Sequence, residues 1–506
     1  MRAESAILDA AVAVFAALFV LSLAFGGPPR FIAPWAALFA LSAAVFARLW
    51  IEHRRLGRDV WRARPDAALF WLCLTCYLAS FRWHGGDDIP NSMLGFQIWR
   101  HGTLAFDEVR AWATAPGMGD LILRVRGRLV SFYPISPGVL AAPLYAIPAM
   151  FVRAPSDQFL HNLSKCSGAV MTAASVPVFY RVASKRCSPQ WALQCSLLYG
   201  LGSFAFSVSS QALYSHGPAQ LGIILGLLGL LGETDAWAVA AGFGFALAWT
   251  AREDAALFGA AAAAYFLFHQ RRRLASFAAG GAGPAVLNLA YWHHYCGAFH
   301  PPYYAIQAGL FTRLDPRALI AMLISPFRGL LVFFPAALFG AWGLARARRD
   351  ARARWELYFA AACAATWLLF SMRSSWTAGN SFGQRYFSVV AMVLALFCAE
   401  VEDAVRRSAR VRSAWSAVFA YCVLVHAIGA LFRWPGYRMT LDRQAAVVWH
   451  IRMFPLVFAF VDGGAIGAVP WPWRLPYGLF LMSLITGAAW SWSRARVPEG
   501  VASEAL

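Results

Sequence analysis

Residues 7–25 read ILDAAVAVFAALFVLSLAF, an apolar run as long as a membrane crossing requires. A helix needs about 20 such residues to span the hydrocarbon of a bilayer. Comparable segments recur from one end of the chain to the other, and no separate soluble domain is visible between them. The sequence therefore predicts an all-α polytopic membrane protein with about 14 transmembrane helices, or at least about 11.

The composition supports this class and excludes others. Of the 506 residues, 60% are hydrophobic and only 14% are charged, whereas soluble domains carry about 25% charged residues. The net charge is +19, but the basic residues are grouped between apolar segments, which is the pattern of cytoplasmic loops. Membrane lipids are therefore expected partners and nucleic acid is not. The high Ala and Arg content is typical of GC-rich bacterial genomes, which indicates the bacterial inner membrane.

The positions of the basic loops give a topology with both termini in the cytoplasm. Spans are expected near 7–25, 31–50, 66–82, 160–180, 189–209, 216–232, 236–250, 255–270, 274–292, 328–345, 354–372, 386–402, 412–432 and 475–493. Segment 134–152 contains four prolines, which we expect to break a helix there, and it is expected to lie on, or dip into, the outer surface. Three regions follow: 1–65 with two extra helices, a catalytic module at 66–400, and 401–506 with an outer loop at 433–476.

The stretch WHGGDDIPN, residues 83–91, opens a large outer loop at 83–159 that we expect to contain juxtamembrane helices. It places Asp87 and Asp88 just beyond a predicted span, where a charge must be solvated or paired. A carboxylate there could act as a general base, or several could bind a divalent cation. The competing interpretation is a solvated loop with helix-capping aspartates. No other metal ligand or cofactor is predicted.

Three further outer segments carry polar chemistry. His216 stands at the mouth of a span, Arg252 begins a charged triplet, and Arg385 ends the glycine-rich loop at 374–386. Each could bind a phosphate or a sugar, because arginine pairs with phosphate in a bidentate manner and glycines allow close backbone approach. Each also has an ordinary interpretation as an interfacial histidine, a self-neutralising turn or an inter-helix turn.

Six short motifs follow one another within residues 66–400. They are GDDIP (86–90), HGTLAFD (101–107), YPISPG (133–138), QALYSHGP (211–218), SPFRGLL (325–331) and WTAGNSFGQRY (376–386). Their order resembles that of the C-type glycosyltransferases, the integral-membrane group that includes protein O-mannosyltransferases and the aminoarabinose transferase of lipid A. Two features depart from that pattern: the extra helices at 7–25 and 31–50, and Asp88 where the family commonly has Glu.

The resemblance implies a polyprenyl-phosphate sugar donor, transfer outside the cytoplasm and inversion at the anomeric carbon. It implies a lipid, glycan or protein acceptor. The catalytic Asp of the family corresponds to Asp87, and Asp88 would orient it or hold a metal or sugar hydroxyl; which of the two is the base stays open. The remaining donor-binding candidates are His216, Arg252, Arg385, Tyr133 and Asp107, and segment 134–152 would line the donor cleft.

Two other function classes compete with a transferase. A transporter or flippase for a lipid-linked saccharide would be expected to carry charges near the middle of its spans and related halves. The sequence indicates charges at span ends and shows no clear repeat. A non-catalytic scaffold of envelope biogenesis, or a ligase that uses diphosphate-linked chains, is the other alternative. The ligase would be expected to use His and Arg as its functional residues rather than an aspartate pair.

Overall fold

The computed structural model describes residues 2–25, 33–80, 86, 88–301, 309–311, 313–347, 355–431 and 439–457. Four helices precede the first outer loop: α1 (Arg2–Phe25), α2 (Pro34–Arg55), α3 (Val60–Ala63) and α4 (Pro65–Leu78). Asp59 caps α3 by accepting a hydrogen bond from the backbone N–H of Trp61. Prolines start α2 and α4, where the missing N–H costs nothing.

The first outer loop folds as helices around a small hairpin. It contains α5 (Asp88–His101), α6 (Arg110–Ala113), strands β1 (Ile122–Val125) and β2 (Arg128–Ser131), and α7 (Ser136–Phe151). The strands are antiparallel and joined by Arg126 and Gly127, with φ of 51° and 82°. Positive φ at both turn residues suits the twist of a two-residue hairpin. The juxtamembrane helices were predicted, whereas the hairpin was not.

The rest of the described chain is helical. The helices are α8 (Asp157–Ala183), α9 (Pro189–Leu201), α10 (His216–Leu230), α11 (Asp235–Ala251), α12 (Ala256–His269), α13 (Leu274–Cys296), α14 (Pro316–Ile324), α15 (Leu330–Phe333), α16 (Ala337–Ala347), α17 (Trp355–Ser371), α18 (Ser388–Phe397), α19 (Glu402–Arg407), α20 (Ala409–Leu431) and α21 (Leu441–Ala446). A π-helical turn, Ala205–Ser209, follows α9. The two strands of the hairpin form the one sheet of the described residues, so the all-α prediction is confirmed.

By length and composition, three of the described helices can cross a membrane: Ile7–Phe25, Pro34–Arg55 and Ala409–Leu431. Several shorter apolar helices accompany them, and the number of spans stays a prediction. The predicted span 328–345 is divided into α15 and α16, with Pro335 in the break. The predicted span 475–493 and most of the loop 433–476 lie outside the described residues.

Helix α7 continues through the prolines that we expected to break it. Pro143 and Pro148 both lie inside its 16 residues. The helix packs closely on α5, since a Cβ added at Gly138 would overlap the backbone oxygen of Asn91. Side chains of α5 bond its backbone as well: Trp99 Nε1 donates to the oxygen of Ala142 at 2.6 Å. This packing supplies the contacts that hold α7 together despite its lost helix donors.

The first outer loop has a hydrophobic core of its own. Phe96, Phe106, Leu129 and Tyr145 are buried there together with Phe159 of α8. The end of α13 joins it through the Tyr295 hydroxyl, which accepts a hydrogen bond from the backbone N–H of Leu104 at 3.2 Å. The loop is thus fixed against α8 and α13, and the start of α5 is placed beside the outer end of α8.

Candidate functional site

Of the two adjacent aspartates, the structure describes only the second. Asp87 lies outside the described residues. Asp88 is the first residue of α5, and its side chain is only 1% exposed. The solvated-loop interpretation is therefore wrong for Asp88. A buried carboxylate is stable only when other groups compensate its charge.

Two side chains of α8 contact the Asp88 carboxylate. Ser164 Oγ donates a hydrogen bond to Oδ2 at 2.9 Å, and His161 Nδ1 lies 3.4 Å from the same oxygen. The other oxygen, Oδ1, is buried and accepts no hydrogen bond from any residue that the structure describes. Buried polar atoms normally have partners. Asp88 thus combines an oxygen held in place with an oxygen available to a proton donor.

A buried lysine follows on the same helix. Lys165 is 1% exposed, and its Nζ donates to the backbone oxygen of Ser210 at 3.1 Å and to Gln211 Oε1 at 3.2 Å. Ser80 Oγ, at the start of the outer loop, also donates to Gln211 Oε1 at 3.2 Å. The cation is therefore held by acceptors of the segment that follows the π-helical turn.

Sequence reasoning missed these residues of α8. Lys165 lies inside the predicted span 160–180 and is an exception to the expectation of charges at span ends. A lysine within an apolar span is a signal of function that could have been used. Positions 161, 164 and 165 also share one helical face, which joins the lysine to the two partners of Asp88.

Segment 210–216 fits tightly on α8. The backbone N–H of Leu213 donates to Ser164 Oγ at 2.9 Å, so this hydroxyl links the segment to Asp88. A Cβ added at Gly168 would overlap the backbone oxygen of Ala212. The absence of a side chain at position 168 allows the approach.

A Gly168→Ala variant is accordingly expected to lose about 1–3 kcal/mol of stability, because the new methyl group must displace the backbone of Ala212. The measurement is the apparent melting temperature of the purified protein. Gly283→Ala in α13 is the matched control, since an added Cβ there has nothing within 4 Å. Equal melting temperatures for the two variants would contradict the tight fit.

His216 begins α10 and has both ring nitrogens engaged. Nδ1 lies 2.9 Å from Ser388 Oγ, and Nε2 lies 3.4 Å from Arg252 Nη1. Because a guanidinium is only a donor, Nε2 must accept. We therefore assign a neutral histidine with its proton on Nδ1, which donates to Ser388 Oγ.

Three arginines surround the ring of Tyr386. The Cζ atoms of Arg252, Arg373 and Arg385 lie 5.9, 5.6 and 5.9 Å from its centroid. The ring is stacked on Phe370 at 4.0 Å with an interplanar angle of 5°. We call these three arginines the cationic cluster. The sequence analysis predicted Arg252 and Arg385 but overlooked Arg373, which directly precedes the glycine-rich loop at 374–386.

Two carboxylates lie beside the cationic cluster. Arg252 Nε pairs with Asp254 Oδ1 at 2.7 Å. Burial raises the pKa of Glu253 to about 7, and its backbone hydrogen bond and then Arg252 and Arg373 oppose the shift. Among the described residues, the three guanidinium groups of the cationic cluster thus face these two carboxylates, of which Asp254 pairs with Arg252. An excess of guanidinium groups favours an anionic ligand such as a phosphate.

Arg328 holds the loop that carries Arg385. It is completely buried, and its guanidinium donates to the backbone oxygens of Ser381, Gly383 and Gly379 at 2.6, 2.5 and 2.7 Å. A fourth bond goes to Gln444 Oε1 at 2.8 Å. The loop contains three residues with positive φ, Ala378, Gly379 and Gly383. Arg328 therefore fixes an unusual backbone shape, and with it the position of Arg385.

Segment 210–216 contacts both groups of residues. Leu213 bonds Ser164 beside Asp88, and His216 bonds Arg252. Three residues span at most about 11 Å of fully extended chain. The backbones of Leu213 and His216, which contact the surroundings of the carboxylate and the cationic cluster, therefore lie within that distance of each other.

Comparisons with known proteins find distant structural similarity and no sequence match. No protein-family profile matches the chain, and no curated protein matches it. Among solved structures, it is similar to the Archaeoglobus fulgidus oligosaccharyltransferase in the apo form, with 13% identity, a TM-score of 0.45, and coverage of 77% of this chain and 57% of that chain. A second is the archaeal oligosaccharyltransferase from Archaeoglobus fulgidus in complex with an inhibitory peptide and a dolichol-phosphate, with 12% identity, a TM-score of 0.42, and coverage of 77% and 56%. The chain spans little more than half the length of either, and the roles proposed below rest on its own contacts.

Asp107 and Tyr133 occupy the hairpin region of the outer loop. Asp107 Oδ1 accepts hydrogen bonds from the backbone N–H of Leu129 at 3.2 Å and from Arg110 Nη2 at 3.1 Å. It therefore fastens β2 to the preceding turn. Tyr133 follows β2, with its ring 5.1 Å from that of Phe132. Donor binding by either residue stays a prediction.

The predicted alternative of a divalent cation has no support in the described part of the chain. No three His, Cys, Asp or Glu side chains come together there as a group that could hold a metal. Asp87 lies outside those residues.

Proposed function

We propose that the protein is an integral-membrane glycosyltransferase of the C type, acting on the outer face of the bacterial inner membrane. It moves a sugar from a polyprenyl-phosphate donor to a hydroxyl group of a lipid, glycan or protein acceptor, with inversion. The observation that carries this proposal is the buried Asp88 carboxylate, whose Oδ1 has no partner in the described chain, and its link through segment 210–216 to a cluster of three arginines.

Asp88 is the general base that these contacts favour. The acceptor oxygen attacks the anomeric carbon of the donor and gives its proton to Asp88 Oδ1. Ser164 and His161 hold Oδ2, so the carboxylate does not turn away from the acceptor. A correctly placed base contributes about 10²–10⁴-fold to such a reaction. The resemblance favours Asp87 for the same role, and the experiment below separates the two.

The cationic cluster stabilises the leaving group. When the bond between the anomeric carbon and the phosphate oxygen breaks, the electron pair stays on the polyprenyl phosphate. A phosphate leaves as an anion without protonation, so fixed positive charge lowers the barrier. Arg252, Arg373 and Arg385 supply that charge. His216 accepts a hydrogen bond from Arg252, and we assign it the positioning of this arginine in place of direct contact with phosphate or sugar.

One observation favours the competing transporter. Lys165 is a buried cation within a predicted span, as in proteins that move charged substrates. Its ammonium group, however, donates to Ser210 and Gln211. Those partners suit a cation that fixes segment 210–216 in place.

The decisive experiment uses the purified protein in lipid nanodiscs with a panel of polyprenyl-phosphate sugars and candidate acceptors. Mass spectrometry follows the consumption of each donor. We expect one donor to be consumed, with loss of turnover in Asp88→Asn. Turnover that survives in Asp88→Asn and disappears in Asp87→Asn would move the base to Asp87. With the same protein in sealed vesicles, translocation of a donor across the bilayer without consumption would establish the transporter.

A further inference from the structure

A cavity opens next to the cationic cluster. Its volume is about 110 Å3, and it lies where the ends of α11 and α13 meet the first outer loop. A single water takes up about 30 Å3 of liquid. The space therefore exceeds what one water fills and is on the scale of a small ring.

The walls of this cavity combine aromatic faces with a few polar groups. Trp249, Trp292 and Phe299 supply the apolar surface, and Glu253, Asn288 and Thr250 supply the polar atoms. Thr250 Oγ1 donates its proton to the backbone oxygen of Leu247 at 2.9 Å, so it meets a ligand as an acceptor. Pockets of this kind bind molecules that have an apolar body and a few fixed hydrogen-bonding groups.

The position of Glu253 connects the cavity to the proposed chemistry. Its neighbour Arg252 belongs to the cationic cluster, and consecutive Cα atoms are about 3.8 Å apart. Arg252 and Arg373 also act electrostatically on the Glu253 carboxyl group, so an anion bound by these arginines is expected near the wall of the cavity that Glu253 forms. The carboxyl group of Glu253 disfavours a second phosphate inside, since like charges repel at short range.

We infer that this cavity binds the sugar ring of the lipid-phosphate donor, with Glu253 and Asn288 bonding its hydroxyl or amino substituents. The apolar face of the ring lies against the tryptophans, and the phosphate stays on the arginines. This inference rests on the proposed function and adds the place where the sugar is recognised. Glu253 and Asn288 would then determine which sugars are accepted.

The test measures binding rather than turnover. The full chain in nanodiscs is titrated with undecaprenyl phosphate, undecaprenyl-phosphate glucose and undecaprenyl-phosphate aminoarabinose. The ratio of affinities between a sugar-bearing lipid and the bare lipid phosphate reports on the sugar alone. Wild-type protein is expected to prefer at least one sugar-bearing lipid. Above pH 7, where the Glu253 carboxylate is charged, Glu253→Gln is expected to lower that ratio about tenfold, because a hydrogen bond to a charged group is lost.

Two further variants control for indirect effects. Asn288→Leu keeps the side-chain size, removes the amide and is expected to lower the same ratio. Glu108→Gln makes the same chemical change on an exposed residue of the outer loop and should leave the ratio at the wild-type value. Unchanged binding of the bare lipid phosphate shows that each variant is folded.

The remaining outcomes contradict either the sugar pocket or the proposed transferase. A wild-type ratio of one for both sugars, or an unchanged ratio in Glu253→Gln and Asn288→Leu, overturns the sugar pocket. An equal loss of affinity for all three lipids in Glu253→Gln also overturns it, because the carboxyl group would then act only on the arginines. A sugar preference that depends on Glu253, without donor consumption in the turnover assay, keeps the pocket and rejects the transferase.

Discussion

Asp88→Asn is expected to keep its affinity for the donor lipid and to lose about 10³-fold of its turnover. The amide has nearly the same shape as the carboxylate and can still accept from Ser164. It cannot take up the proton of the acceptor hydroxyl. The readout is kcat for donor consumption in nanodiscs, together with the equilibrium affinity for the donor.

Asp157→Asn is the matched control for this variant. Asp157 is the first residue of α8, as Asp88 is the first residue of α5, but its side chain is exposed. Turnover at the wild-type level is expected. A kcat in Asp88→Asn within a few-fold of wild type would rule out Asp88 as the base.

Arg328→Met is expected to lower stability by about 3–5 kcal/mol, which is the cost of removing one partner from a buried charged network. Four acceptors around the guanidinium, including the backbone oxygens of Ser381 and Gly383, would lose their donor. The loop that carries Arg385 would lose its shape, so donor affinity should fall as well. The apparent melting temperature in detergent checks the first effect, and lipid-phosphate binding checks the second.

Arg317→Met provides the comparison for Arg328→Met. Arg317 is exposed on α14, and surface substitutions of this kind usually stay within about 0.5 kcal/mol of wild type. If both variants have the melting temperature of the wild type, Arg328 does not hold the loop as proposed.

The sequence was sufficient for the helical class because hydrophobic patterning is a local signal. Residues 7–25, for example, are predominantly apolar and lie within the helix α1. It was not sufficient for the hairpin at 122–131, whose strands contain only four residues each. Nor did it predict the continuous α7, because Pro143 and Pro148 are tolerated through packing on α5, which is a tertiary effect.

For the candidate site, the sequence indicated several of the functional residues but not the contacts that they make. His216, Arg252 and Arg385 were predicted from their chemistry, and they meet around Ser388 and Tyr386. Ser164 and His161 were overlooked because a serine or histidine in a helix has no distinctive local pattern. Their role depends on the position of Asp88, about 75 residues earlier in the chain, and only the fold brings the groups together.

The buried Lys165 has a consequence for how the protein enters the membrane during synthesis. Lys165 is the ninth of the 27 residues of α8, and a lysine within a spanning helix costs up to about 2.5–3.5 kcal/mol on insertion, which is the value at the helix centre. Helix α8 is not among the described helices that qualify for crossing by length and composition. Its partners Ser210 and Gln211 emerge from the ribosome about 45 residues later. We therefore expect α8 to reach its final depth only after α9 and the following turn have been made, so that several helices enter the bilayer as a group.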